Sequence, residues 1–407
     1  MSPPRPALRP LDEALAELLG FASALPELES VATFDADGRV LAQDLVSALH
    51  VPPQDNSSMD GYALCCADLA SASGVLPVSQ RIAAGSAAAP LVRGSAARIF
   101  TGAPIPAGAD AVVMQEDCEL LDGAVRIKAP PLPGQWIRRA GEDVTLGATV
   151  LASGARLTPA ALGLAASIGM ADLLVRRRPR VALFSTGDEL VMPGAVAAVD
   201  MKPGAIYNSN RFFLRALLLR LGCEVTDMGI VPDRLDATLL ALREAADQHD
   251  LILTSGGVSV GEEDHIKPAV QALGQLALWQ IAIKPGKPFA YGRVQGTHFI
   301  GLPGNPVSSY VTFLLLVRPF LLKLQGVTEL ATPSIAATAH FDWPRADRRR
   351  EFLRARRNDA GGLDLFANQS SGVLTSAVWG DGLVDNPPGQ TVQYGDSVRF
   401  IPFAEVL

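Results

Sequence analysis

The stretch LILTSGG, residues 251–257, carries the reading of the fold. Leu251 to Thr254 read as a buried strand, and Ser255-Gly256-Gly257 ends it with two adjacent glycines. Two more loops follow apolar stretches in the same manner: Lys284-Pro285-Gly286-Lys287 and Leu302-Pro303-Gly304-Asn305-Pro306. In a parallel α/β sheet, loops that leave the carboxyl ends of strands meet over one crevice. Backbone amides freed by glycine, the ammonium groups of Lys284 and Lys287 and the carboxylate of Asp264 then form an anion site beside an acid. The carboxylate can hold magnesium or position water.

Working outward, strand and helix alternate from Arg180: a strand at Val181 to Phe184, a helix from Ser209 to Leu221 stopped by Gly222, and a strand from Val225 to Val231. A helix from Asp236 to His249, the strand at Leu251, the stretch Ala277 to Ile283 and a strand at His298 to Gly301 extend an open, mostly parallel sheet. Upstream, Leu11, Leu15, Leu18, Leu19 and Ala22 recur at helical spacing, and Asp37-Gly38 between weakly alternating apolar residues predicts a hairpin. Short runs separated by Gly, Pro and Ser fill the segment after Pro52-Pro53, and a helical pattern resumes around Pro159. This places an inserted β-rich lobe at 53–142 within a linking α/β domain at 1–52 and 143–178. The central α/β domain then spans 179–326, and a small C-terminal β domain spans 327–407.

A chain of 407 residues with 48% hydrophobic and 19% charged residues is long enough for several cores and too apolar for disorder. Lys+Arg at 35 against Asp+Glu at 42 gives a net charge of −7, which argues against a nucleic-acid partner. The runs Arg176-Arg177-Arg178 and Arg348-Arg349-Arg350 lack interleaved aromatics and read as solvated loop or strand ends. The four cysteines show no zinc or disulfide spacing, which fits a reducing cytoplasm. The apolar stretch from Tyr310 to Leu324 is interrupted by Arg318, Pro319 and Lys323 and reads as a buried helix, with no membrane partner expected.

Candidate chemistry gathers on the sheet's carboxyl rim. Ser185-Thr186-Gly187-Asp188-Glu189 follows the first strand, Pro232-Asp233 follows the second, and Asp264 adds a further carboxylate. Prolines stiffen the turn that bears Lys284 and Lys287, which suits a tetrahedral oxyanion. Pro303-Gly304-Asn305-Pro306 starts a helix, with Asn305 as N-cap, Pro306 at the first position and Ser308 in the first turn where oxyanions bind. No Walker A loop and no GxGxxG pattern follows any strand, so triphosphatase and dinucleotide readings lose support. In the lobe, Asn56 to Tyr62 and Phe100 to Pro106 are polar turns without a local catalytic signature.

Together these residues resemble the MoeA family, the molybdopterin molybdenumtransferases, which includes the E domain of gephyrin. The resemblance rests on SMDGYA at 58–63, TGAPIPAGADAVV at 101–113, AGEDV at 140–144, FSTGDELV at 184–191 and IYNSN at 206–210. It continues through SGGVSVGEEDHIKP at 255–268, IKPGKPFAYG at 283–292 and LPGNPVSS at 302–309. It implies a homodimer of four-domain subunits in which a molybdopterin-binding domain faces the partner's β lobe. It also implies a reaction in which molybdate enters the dithiolene of adenylylated molybdopterin, the anhydride is hydrolysed with Mg2+, and AMP leaves.

By matched motif, the resemblance implies that Glu189, Asp233 and Asp264 organise magnesium and water, and that Ser255, Gly256 and Gly257 cradle phosphate. It likewise implies that Lys284, Lys287 and Ser308 bind oxyanions beside Pro303, Gly304, Asn305 and Pro306, with Arg354 and Ser376 helping from the C-terminal domain. Ser371 is an alternative to Ser376, and the resemblance implies that Asp60, Thr101 and Asp143 complete the site across the dimer. A molybdopterin adenylyltransferase and downstream molybdoenzymes or nucleotide-attachment proteins are the implied partners. Two other readings are the adenylyltransferase itself, whose small fold resembles residues 180–325, and a non-catalytic carrier or scaffold.

Overall fold

The computed structural model describes residues 8–257 and 265–406, so Asp264 lies outside the described residues. Its centre is a six-stranded sheet in the spatial order Glu224–Val231, Arg180–Thr186, Leu251–Ser255, Thr297–Leu302, Pro288–Val294, Gly274–Gln280. The first four strands are parallel, and the last two add on antiparallel at one edge. Val181, Leu183, Leu251 and Leu253 are fully buried, as expected of a strand pair covered on both faces. Helix Asn210–Arg220 packs on one face and helices Leu235–Gln248 and Ile266–Leu273 on the other.

The run Pro306–Leu324 is one buried helical rod of 19 residues, 89% buried in its most apolar window. Its Phe313–Val317 segment is a π turn just before Pro319. Proline offers no N–H to the preceding turn, and the wider turn absorbs that loss without breaking the rod. The expected buried helix is therefore present and begins earlier than Tyr310.

Asp37-Gly38 forms a turn, with Gly38 at φ 70°, yet the segments on either side of it do not pair with each other. Leu28–Ala32 pairs antiparallel with Asp172–Arg176, and Leu45–Val46 pairs with Thr149–Leu151. The local hairpin expectation fails because each strand finds its partner beyond the inserted lobe, a long-range choice that alternation alone does not encode. The lobe has its own six-stranded sheet, in the order Ala111–Met114, Gly61–Leu64, Ala96–Ile99, Val75–Ile82, Ala124–Ile127, Cys118–Leu121. The N-terminal helix Leu11–Gly20, expected in the linking unit, places Leu11, Ala14 and Leu18 in the core of the central sheet domain.

The C-terminal unit is a β sheet of Ile335–Thr338, Arg350–Arg357, Gly382–Asn386 and Ser397–Pro402, with Leu363–Leu365 beside the second. Ile283–Lys284 joins it as an edge strand, parallel to Arg350–Arg357. The Lys-Pro-Gly-Lys loop is therefore fixed by two units at once.

Candidate active site

A cavity of about 420 Å³ opens at the carboxyl ends of the parallel strands. Its walls come from Ser185 and Thr186, from Ile206 to Asn210, from Ser255-Gly256 and from Pro303 to Pro306. Asn210, the first residue of its helix, is the hub. Its Nδ2 donates to Ser255 Oγ at 2.8 Å and to the Gly304 carbonyl at 2.7 Å, which ties three loops together. The Ser255 hydroxyl donates onward to the Pro303 carbonyl at 3.3 Å, and the Gly256 amide to the Leu302 carbonyl at 3.0 Å.

Glycine is required here. Gly256 and Gly257 adopt φ 94° and 68°, and a Cβ on Gly257 would lie 2.6 Å from Ile266 Cγ1. Two polar atoms facing this rim have no partner among the described residues: Ser185 Oγ and Asn208 Nδ2, in residues only 1% and 2% exposed. Buried donors are rarely left orphaned, and these two line the cavity, so both are available to a guest there.

Of the residues expected from sequence, Glu189, Ser255, Gly256, Pro303, Gly304, Asn305, Pro306 and Ser308 line this cavity together. Glu189 folds back over Gly187, where a Cβ would lie 2.5 Å from its carboxylate. Asp233 stands outside the lining, its amide donating to Asp188 Oδ1 at 3.4 Å. No cluster of three or more metal-ligating side chains occurs among the described residues. Magnesium takes only one or two carboxylates and lets phosphates and water supply the rest, so Glu189 at the cavity fits that ion.

Lys284 is directed away from the cavity. Its Nζ lies 3.0 Å from Glu351 and 3.4 Å from Asp347, and it lines a separate cleft with Phe341 and Trp343. Glu351 is 1% exposed and accepts from Trp343 Nε1 at 2.7 Å through its other oxygen. The Arg349 guanidinium beside Asp347 holds that carboxyl well below the usual range. Lys287 is half-buried and donates to no acceptor among the described residues, so it is the uncommitted cation of the loop.

Arg354 is fully buried without a carboxylate partner among the described residues. Its Nε donates to Ser376 Oγ at 3.0 Å and its Nη1 to the Phe352 carbonyl at 3.0 Å. Burial pushes the guanidinium down to about 10, because neutral acceptors compensate the charge only in part. Ser376, rather than Ser371, meets Arg354, while the Ser371 carbonyl accepts from the Val307 amide and links the C-terminal unit to the rim.

In the lobe, Asp60 Oδ1 accepts from the Thr101 amide at 2.8 Å and from its hydroxyl at 3.0 Å. Those two donors, the amide first, hold the Asp60 carboxyl below its ordinary value. Asp143 is exposed, and its amide donates to the Val51 carbonyl. No hydrogen bond among the described residues joins Asp60 or Thr101 to Asp143 or to a cavity residue, so one chain does not unite the two motif groups.

Asn208 and Asn210 are site residues that no motif assignment above includes. Their signal was present in the polar run IYNSN just before a helix, where amide side chains usually cap or bind. The run Arg176-Arg177-Arg178 is also more than a solvated strand end: Arg177 grips Asp250 with bonds of 2.7 and 2.8 Å, which joins the linking unit to the sheet.

Three family profiles match in order along the chain. The MoeA N-terminal region (domain I and II) matches residues 9–169, a probable molybdopterin binding domain matches 182–323, and the MoeA C-terminal region (domain IV) matches 336–403. A molybdopterin molybdenumtransferase from Haemophilus influenzae is 43% identical over 346 residues, covering 84% of this chain and 85% of that protein. One from Nostoc sp. PCC 7120 is 33% identical over 402 residues, covering 95% and 91%. The solved molybdopterin biosynthesis MoeA protein from Pyrococcus horikoshii OT3 superposes with a TM-score of 0.83 at 28% identity, covering 97% of this chain and 99% of that one.

Proposed function

Because this chain belongs to the MoeA family of molybdopterin molybdenumtransferases, we propose that it inserts molybdenum from molybdate into adenylylated molybdopterin, hydrolyses the phosphate anhydride and releases AMP. The observation that carries the reading is the cavity with its orphaned Ser185 Oγ and Asn208 Nδ2, set in the segment that matches a probable molybdopterin binding domain. Donors held ready in a shaped, partly enclosed site are what a polyanionic pterin needs.

In this mechanism Ser255, Gly256 and the loop Pro303–Ser308 hold the phosphate end of the substrate, with Asn210 fixing the spacing between them. Ser308 sits in the first turn of its helix, where the backbone dipole favours an anion. Lys287, uncommitted to any protein carboxylate among the described residues, meets an oxyanion directly. Lys284 holds the loop in place through Glu351. Arg354 would supply charge to molybdate, held in place by Ser376, whose hydroxyl accepts from its Nε and donates to the Val373 carbonyl, and a bound dianion would restore the charge compensation that burial denies Arg354.

Magnesium would be held through Glu189, to which the matched motifs add Asp233 and Asp264, and would neutralise phosphate charge during hydrolysis. Asp60 and Thr101, absent from the cavity of their own chain, act in a homodimer on the partner's cavity. The enzyme works in the cytoplasm, receiving its pterin from a molybdopterin adenylyltransferase and handing its product to molybdoenzymes or nucleotide-attachment proteins.

The test is AMP release from purified protein given adenylylated molybdopterin, magnesium and molybdate, with each omitted in turn. Release that depends on molybdate, with active cofactor formed, is the expected result. Tight binding without release would replace the enzyme by a carrier, and adenylylation of the pterin from ATP would replace it by the adenylyltransferase.

A further inference from the structure

The lobe's parallel strands Val75–Ile82 and Ala96–Ile99 place Arg81 directly beside Arg98. Like charges at neighbouring positions on one sheet face repel, and the arrangement is unfavourable without a counter-charge. Neither arginine forms an ion pair within 4 Å among the described residues, and the one carboxylate shown to act on the pair is Asp60, on which Arg98 acts from a distance. Arg98 donates to the Gly61 carbonyl at 2.9 Å and to Gln115 Oε1 at 2.6 Å, both neutral acceptors. Each guanidinium carbon lies 4.5 Å from the centroid of the Phe100 ring, so the aromatic holds both forks in place.

The two arginines line an open groove of about 490 Å³ together with Tyr62, Leu120, Leu121 and Ala124, and no carboxylate lines it. In a chain of net charge −7 this is a local reversal of sign. The groove is amphiphilic, since Leu120 is 74% exposed on its wall. It also adjoins the lobe's functional pair: Arg98 bonds the carbonyl of the residue after Asp60, and Phe100 immediately precedes Thr101.

We propose that this groove is a second anion site, in which Arg81 and Arg98 grip the phosphate of a mononucleotide while its heterocyclic body rests on Leu120 and Leu121. Planar forks match phosphate oxygens, and preformed stacking on Phe100 reduces the side-chain freedom lost on binding. Naming AMP as that mononucleotide rests on the proposed function; the anion groove itself does not.

The experiment is calorimetric titration of the full chain with AMP, adenosine and inorganic phosphate at low ionic strength, for the parent and for Arg81→Gln. Arg81 is exposed and lies outside the lining of the sheet cavity. AMP is expected to bind at least about tenfold more tightly than adenosine or phosphate, and Arg81→Gln to weaken AMP about tenfold, on the scale of one charge-assisted contact. Equal stoichiometry and equal affinity of AMP in both proteins, with no binding event lost in Arg81→Gln, overturns the groove, and so does an absence of AMP binding by the parent. Equal affinity for phosphate and AMP, both weakened in Arg81→Gln, overturns the nucleotide in favour of free phosphate. AMP release from adenylylated substrate, measured on the same two proteins, reports separately on the proposed function.

Discussion

The sheet cavity and the lobe's Asp60–Thr101 pair hold polar groups in place by opposite means. In the cavity, Asn210 and Ser255 are buried and each bond also joins two loops of the core, so position and stability come from the same contacts. In the lobe, Asp60 is exposed and fixed only by an amide and a hydroxyl of one residue. A change in the first region therefore acts on folding and chemistry together. A change in the second acts on chemistry alone.

The widest separation between the two is expected from Asn210→Asp. The carboxylate removes both donations and faces the Gly304 carbonyl, which it repels, at a buried position without a cation in its bonding shell. Unfolding in urea is expected to show a loss of about 3–5 kcal/mol, the usual cost of an uncompensated buried charge, with turnover abolished. An unchanged midpoint with turnover retained would remove Asn210 as the hub. The counterpart in the lobe, Asp60→Asn, is expected to leave the melting temperature unchanged while AMP release falls roughly a hundredfold, the lower range for loss of one acid–base group. A drop in melting temperature as large as that of Asn210→Asp would break the contrast.

Much of this contrast was legible in the sequence, and its limits are physical. The rim loops at Ser255 and Pro303 were readable because parallel strands must end somewhere and glycine or proline marks the place. The direction of Lys284 was not, since proline stiffening argues only that the turn is rigid. It is rigid because Ile283–Lys284 is an edge strand of the C-terminal sheet, and Glu351 captures the ammonium. Arg354 was found by motif, but its burial without a counter-ion depends on how Ser370, Ser376 and Phe352 pack around it. The hairpin at Asp37-Gly38 failed for the same reason: the competing partners, Asp172–Arg176 and Thr149–Leu151, lie more than a hundred residues away in the chain.

Glu351→Gln tests whether a residue outside both regions tunes the cavity through its loop. Replacing the carboxylate removes the charge opposite Lys284 but leaves an oxygen for Trp343. Stability is expected to fall by about 1–3 kcal/mol, because Lys284 retains Asp347. The Michaelis constant for molybdate is expected to rise severalfold with little change in kcat, since Lys287 shifts but is not removed. A fall in kcat at constant KM would instead place Lys284 at the reacting atoms.

Acid titration separates the regions without any change to the cavity. Burial pushes His298 down to about 4, and the Tyr291 hydroxyl lies 2.8 Å from its Nδ1. A depressed histidine is neutral in the folded state, so as pH falls from about 6.5 to about 4 the unfolded chain takes up the proton first and stability is lost. The interval from 6.5 to about 4 caps the loss for this one group at about 3.4 kcal/mol. Asp60 titrates outside that interval: the Thr101 amide and hydroxyl hold its carboxyl below the ordinary value, so it stays charged while His298 takes up its proton. Between those limits the sheet domain weakens while the lobe pair stays charged and bonded. His298→Gln is expected to flatten the dependence of the unfolding midpoint on pH from 6.5 to 4 and to leave the Asp60 signal unchanged when carboxyl resonances are followed by NMR. An undiminished slope in His298→Gln would assign the acid lability to another group and leave the two regions indistinguishable by pH.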